Sequence, residues 1–86
     1  MNELKYKGLT VAERVIVYFE LARDATLIRT YAEMITAALA LIYLLQDAEI
    51  DRRETAERLS AEARRCNIND AAIVTAIDNL AKGGER

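Results

Sequence analysis

Between Met34 and Leu45 the chain reads MITAALALIYLL, with Thr36 as its one polar interruption, and no charge falls between Glu33 and Asp47. An apolar run this short suits a buried core helix better than a membrane span, which takes about 20 residues. Read as a helix it is apolar on every face, so it predicts neighbours all round rather than on one side. A helix over about 27–46 is therefore expected at the centre of the fold.

The flanking pattern predicts three more helices. Ahead of the run, Thr10-Val11-Ala12-Glu13 has the form of a capping box, in which Thr10 and Glu13 exchange side-chain bonds with each other's amides. A helix from Val11 to about Arg23 should follow, with Val11, Val15, Tyr18 and Ala22 on one stripe and Ile16 and Phe19 beside it. Asp24 or Thr26 is the expected cap of the central helix. Along that helix Leu27, Tyr31, Met34, Ala38, Leu41 and Leu45 form one apolar stripe, and Ile28, Ile35, Leu39 and Ile42 an adjacent one. Residues 47–50 read as a turn, and Asp51-Arg52-Arg53-Glu54 as a second capping box.

The third helix, to about Cys66, has a narrow inward stripe of Ala56, Leu59, Ala63 and Cys66, with charge on its other faces. After Asn67-Ile68-Asn69, a cap at Asn69 or Asp70 opens the fourth helix, whose apolar face is Ala72, Ile73, Ala76, Ile77 and Leu80. Lys82 and Gly83 are the expected ending, a cation in the last turn and a glycine able to take positive φ. The predicted architecture is all-α: one four-helix domain over 1–86, with a polar lead at 1–8 and a frayed tail at 83–86.

Size sharpens this picture. A chain of 86 residues buries about 60–65% of its unfolded surface. With two helices more than half covered in apolar side chains, the chain is expected to need a partner, and a homodimer is the simplest. Net charge is −2, with 5 basic and 7 acidic residues over 1–49 and 7 of each over 50–86. Neither half has the bulk charge that draws a protein to nucleic acid or anionic lipid. Cys66 is the one cysteine and no secretory signal pattern opens the chain, so a cytoplasmic setting is expected.

Candidate chemistry is sparse. With no histidine, one serine and one cysteine, nucleophile–histidine arrangements have no members. Zinc and other soft metals lack a first set of ligands, and no glycine-rich loop cradles a phosphate. Asp47, Glu49 and Asp51 are the densest carboxylates, but they sit at a helix junction that needs capping groups. No enzyme, cofactor or metal is predicted. Cys66 is either a small inward residue or, with Arg64 and Arg65 favouring its thiolate, a redox sensor.

The stretch from Ala63 to Leu80, ARRCNINDAAIVTAIDNL, resembles the two-helix core of helix-turn-helix regulators. Ala63 stands in the first helix, Cys66 near its end and Asn67 at the turn; Ile68 follows, with Ala72, Ile73, Ile77 and Leu80 at the apolar positions of the second helix. A reading helix needs donors for base edges and cations for phosphates, whereas the outward positions here include Asp70, Ala71, Thr75, Asp78 and Asn79. In a DNA binder Arg64 and Arg65 would contact phosphates.

A second resemblance spans about residues 15–80. Val17-Tyr18-Phe19 with Ala22 precedes a long apolar helix, and Ile50-Asp51-Arg52-Arg53 opens a helix containing Arg58-Leu59. This is similar to the small YmgB/YcgZ-type connector proteins of enteric bacteria. The resemblance implies an all-α, dimer-forming bacterial regulator that binds a signalling or transcription protein, with Tyr18, Phe19, Arg52 and Arg53 as the residues carried over.

Together these readings predict a cytoplasmic regulatory protein acting by protein–protein binding. Interface anchors are commonly aromatic or Arg, which selects Tyr6, Tyr18, Phe19 and Tyr43 with Arg52 and Arg53. The alternatives are a helix-turn-helix DNA binder and a structural or assembly subunit.

Overall fold

The computed structural model describes residues 8–24 and 26–83, among which there are four α-helices and no strand. They are α1 (Val11–Asp24), α2 (Ile28–Leu45), α3 (Arg52–Arg65) and α4 (Ala71–Ala81). The fold is the predicted small all-α, four-helix domain, and the helix limits follow the periodicity closely. Most of the polar lead and of the tail lies outside the described residues.

Three of the four helix starts follow local chemistry written in the sequence. At α1 the capping box is complete: the Thr10 amide donates to Glu13 Oε1 at 2.9 Å and the Glu13 amide to Thr10 Oγ1 at 3.1 Å. At α3 the Glu54 amide donates to the Asp51 carboxylate at 3.0 Å, the forward half of the box. At α4 the Ala72 amide donates to Asp70 at 2.9 Å, which places the cap at Asp70 rather than Asn69. Each such cap stabilises its helix by about 1 kcal/mol.

The start of α2 departs from expectation. Its cap position is Leu27, with extended backbone and no side-chain bond to the first turn. Asp24 still belongs to α1, and its carboxylate accepts from Arg23 Nε at 3.1 Å. Thr26 stands one residue too early, since a capping oxygen reaches amides two or three positions ahead of the cap itself.

The corner between α3 and α4 is closed by a Schellman motif. Asn67 adopts φ 60°, the left-handed conformation its turn position predicts. The Asn67 amide donates to the Arg64 carbonyl at 3.1 Å and the Ile68 amide to the Ala63 carbonyl at 2.7 Å. These bonds satisfy two carbonyls that the helix end leaves free, and they turn Ile68 into the core. Gly83, in contrast, does not take positive φ. A Cβ there would collide with the Arg52 side chain, so this glycine serves a close approach.

Contacts between helices define two hairpins laid face to face. α2 packs on α1 and α4, and α3 packs on α4 and α1, whereas the diagonal pairs scarcely touch. The shortest dimension, 19 Å, accommodates two layers of helices spaced about 8–10 Å apart. One cluster fills the space between them: Val15, Phe19 and Ala22 from α1, Ile35, Ala38, Ile42 and Leu45 from α2, Ala56, Leu59 and Ala63 from α3, Cys66 and Ile68 from the corner, and Ile73, Ala76, Ile77 and Leu80 from α4. The narrow stripe of α3 is therefore as predicted. On α4 the inward set starts at Ile73, and Ala72, expected inside, is exposed.

Candidate functional site

The helix expected to be surrounded is covered on one side. Its four buried residues follow the spacing 35, 38, 42, 45 and draw on both predicted stripes, so the core direction lies between them. All four lie at or beyond Ile35, and no residue in the first two turns is buried. By length and composition alone α2 meets the requirement for crossing a membrane, and 22% of it is buried within the domain. The second hairpin provides α4, of 11 residues, to cover a helix of 18. Among the described residues no further element covers the opposite face.

That face carries Arg29, Ala32, Glu33, Thr36 and Ala40, and ends in Tyr43 and Leu44, which are 53% and 61% exposed. Leu27 and Ile28 stand out at the uncapped end, Ile28 at 89% exposed. Leu21 on α1 and Val74 on α4 are the other large exposed apolar side chains among the described residues. Sequence reasoning singled out Tyr43 but missed Leu44, Leu27 and Ile28. The available signal was the width of the apolar surface: two adjacent stripes cannot both be central on a helix that meets one layer of neighbours.

The residues selected as partner anchors separate into different environments. Tyr6 lies outside the described residues. Phe19 is fully buried, with 0% of its surface exposed, so it is a core residue and not a contact for another molecule. Tyr18, one position earlier and about 100° round the helix, is half-buried against the same cluster. Tyr43 is the aromatic anchor that faces solvent.

Arg52 is half-buried and its Nε donates to the Gln46 carbonyl at 3.0 Å, while its stem lies against Gly83. It joins the end of α2, the start of α3 and the end of α4, which is a structural task. Arg53 is exposed.

The arginine pair at the other end of α3 divides similarly. Arg64 is exposed. Arg65 donates from Nη2 to Glu20 Oε2 at 2.6 Å and from Nε to Glu62 Oε1 at 2.8 Å. The Glu20 bond, then the Glu62 bond, holds its guanidinium more firmly protonated than usual. A phosphate would have to displace two carboxylates that already occupy this fork, so Arg65 is a clamp between α1 and α3. The outward side of α4 offers Ala71, Ala72, Val74, Thr75, Asp78 and Asn79 before the first cation, Lys82.

Cys66 is a free thiol, 1% exposed and packed in the core cluster, so it has the inward position that its helical register predicts. Among the described residues no group of three or more His, Cys, Asp or Glu side chains is placed to hold a metal ion.

No protein-family model, curated protein or solved structure matches the chain.

Proposed function

We propose that this chain is a small regulatory protein that self-associates and docks on another protein through the uncovered face of α2. The observation that carries this reading is the adjacent pair of large apolar side chains exposed at the end of that helix, Tyr43 and Leu44. Exposed apolar surface in a contiguous patch is costly in water and marks interaction sites. The proposed setting is the cytoplasm of a bacterium, on the strength of the lone cysteine and the resemblance to YmgB/YcgZ-type connectors carried by Tyr18, Phe19, Arg52 and Arg53. Of those four, Arg53 is exposed and so open to a partner. No catalytic role, cofactor or metal belongs to this reading.

The test is affinity capture with the full chain and with Tyr43→Asp/Leu44→Asp, checked by circular dichroism for unchanged helix content. The wild type is expected to retain a protein that the variant loses. Equal retention by both, at equal helix content, overturns the reading.

A second reading, the helix-turn-helix DNA binder, is favoured by the α3–α4 corner, where Ala63, Cys66, Ile68, Ile73, Ile77 and Leu80 take the inward positions of that spacing while Ala72 does not. The occupied fork of Arg65 and the uncharged or acidic outward side of α4 weigh against it. Titration against random-sequence duplex at about 50 and 200 mM salt separates the two, because phosphate neutralisation makes affinity fall steeply with salt.

A further inference from the structure

The exposed side of α2 has an internal symmetry that its buried side lacks. At 3.6 residues per turn, positions 29, 36, 40 and 47 fall close to one line along the helix, opposite the Ile35–Ala38–Ile42–Leu45 stripe. Asp47 lies beyond the last helical residue but stays near that line. Gln46 keeps helical angles (φ −64°, ψ −27°), and the Asp47 and Ala48 amides donate to the Leu44 and Leu45 carbonyls at 3.3 and 3.2 Å. The line therefore carries a cation at one end, an anion at the other and small side chains, Thr36 and Ala40, in the middle. Arg29 and Asp47 are both exposed, and neither has an ion-pair partner among the described residues.

We propose that α2 pairs antiparallel with α2 of a second copy about a two-fold axis at the height of Ala38 along the helix, between Thr36 and Ala40 on the face away from that buried residue, with Arg29 of each protomer against the partner's Asp47. The inference rests on the reading of α2 as a docking face and names the occupant of that face in the isolated protein. A two-fold interface must be complementary to itself, so each group needs its complement at equal distance from the centre. Arg29 and Asp47 satisfy this, as each is nine residues from Ala38. Thr36 then meets the partner's Ala40, which lets the backbones approach, and Ala32 leaves room for the partner's Tyr43 ring. A parallel pairing would set arginine against arginine and aspartate against aspartate. A bilayer is a poor occupant, because Arg29 and Glu33 would bring two charges to the hydrocarbon.

The experiment is sedimentation-equilibrium measurement of dimer affinity for the full chain, Arg29→Asp, Asp47→Arg, the double swap and an equimolar mixture of the two single variants. Both positions are exposed, and circular dichroism confirms that the fold is kept. Each single variant faces like charges at both ends of the interface and is expected to dimerise roughly tenfold more weakly or worse. The double swap is expected to return to wild-type affinity, and the mixture to form a heterodimer of similar strength. A wild type that stays monomeric at hundreds of micromolar, on the order of the weakest stable associations, overturns the inference. So do single variants that dimerise like the wild type, or a double swap as weak as the singles. The swaps leave Tyr43 and Leu44 in place, so loss of the proposed pairing leaves the capture experiment free to succeed or fail on its own.

Discussion

The two hairpins of this domain are built in contrasting ways. At the α3–α4 corner the chain is told where to turn: Asn67 in the left-handed region, two Schellman bonds, a buried Ile68 and the Asp70 cap all lie within a few residues of one another. Among the described residues of the α1–α2 corner none of this is present. The cap position is a leucine without a side-chain bond, and Leu27 and Ile28 are left in solvent. What joins α1 to α2 is side-chain burial further along, the most extensive helix–helix contact in the molecule. The contrast teaches that a short chain can specify one turn through local hydrogen bonds and another through packing.

The contrast can be broken most forcefully through the packing. Replacing Phe19 by Ala is expected to cost about 3–5 kcal/mol, the usual range for emptying a fully buried aromatic position. Urea unfolding followed at the far-ultraviolet helix signal would register it, and a loss under 1 kcal/mol would return Phe19 to the surface. Next in size is the corner itself. Asn67→Val places a β-branched residue at positive φ and should cost about 1–2 kcal/mol, whereas Asn67→Gly should be neutral or slightly stabilising. Equal effects of the two would deny the left-handed turn.

The weak corner can also be repaired. Leu27 already has the extended backbone of a cap, so Leu27→Asp supplies the missing acceptor and places an anion at a helix start. Thermal unfolding should show a gain of about 1 kcal/mol. A gain confined to this corner, with no benefit from a further acidic residue near Asp70, would confirm the asymmetry.

The smallest effect is a pH dependence at α1. The Thr10 amide, and then its hydroxyl, holds the Glu13 carboxyl below its ordinary value of 4.5. A carboxyl lowered on folding contributes stability that is present above its unfolded value and is lost as pH falls through the folded one. Stability from this box should therefore fade in acid from about pH 4.5 downwards. Glu13→Gln should flatten that part of the curve, and an unchanged slope would assign it to other groups.

Much of the fold was legible because its determinants are local. The Thr10–Glu13 box, the Asp51 and Asp70 caps and the turn at Asn67 all act between residues a few positions apart, and the stripe of α3 is too narrow to be read in more than one way. The candidate site was less legible because it depends on what is near in space. Tyr18 and Phe19 differ by one step round a helix, and only the position of the neighbouring layer decides which is inside. Arg65 looked free until α1 brought Glu20, 45 positions away, against it. Arg52 looked like an anchor until the turn placed the Gln46 carbonyl within its reach. The expectation of neighbours all round α2 failed for a reason of supply: four helices in two layers give each helix one covered side.

The bond from Arg52 to Gln46 spans the single connection between the two hairpins. If the chain were cut between Glu49 and Ile50, each fragment would keep its own pair of helices. The core, the Glu20–Arg65 clamp and this bond would then join the fragments without covalent linkage. The protein is thus a natural candidate for division into two complementing halves, whose reassembly would measure the affinity between the layers directly.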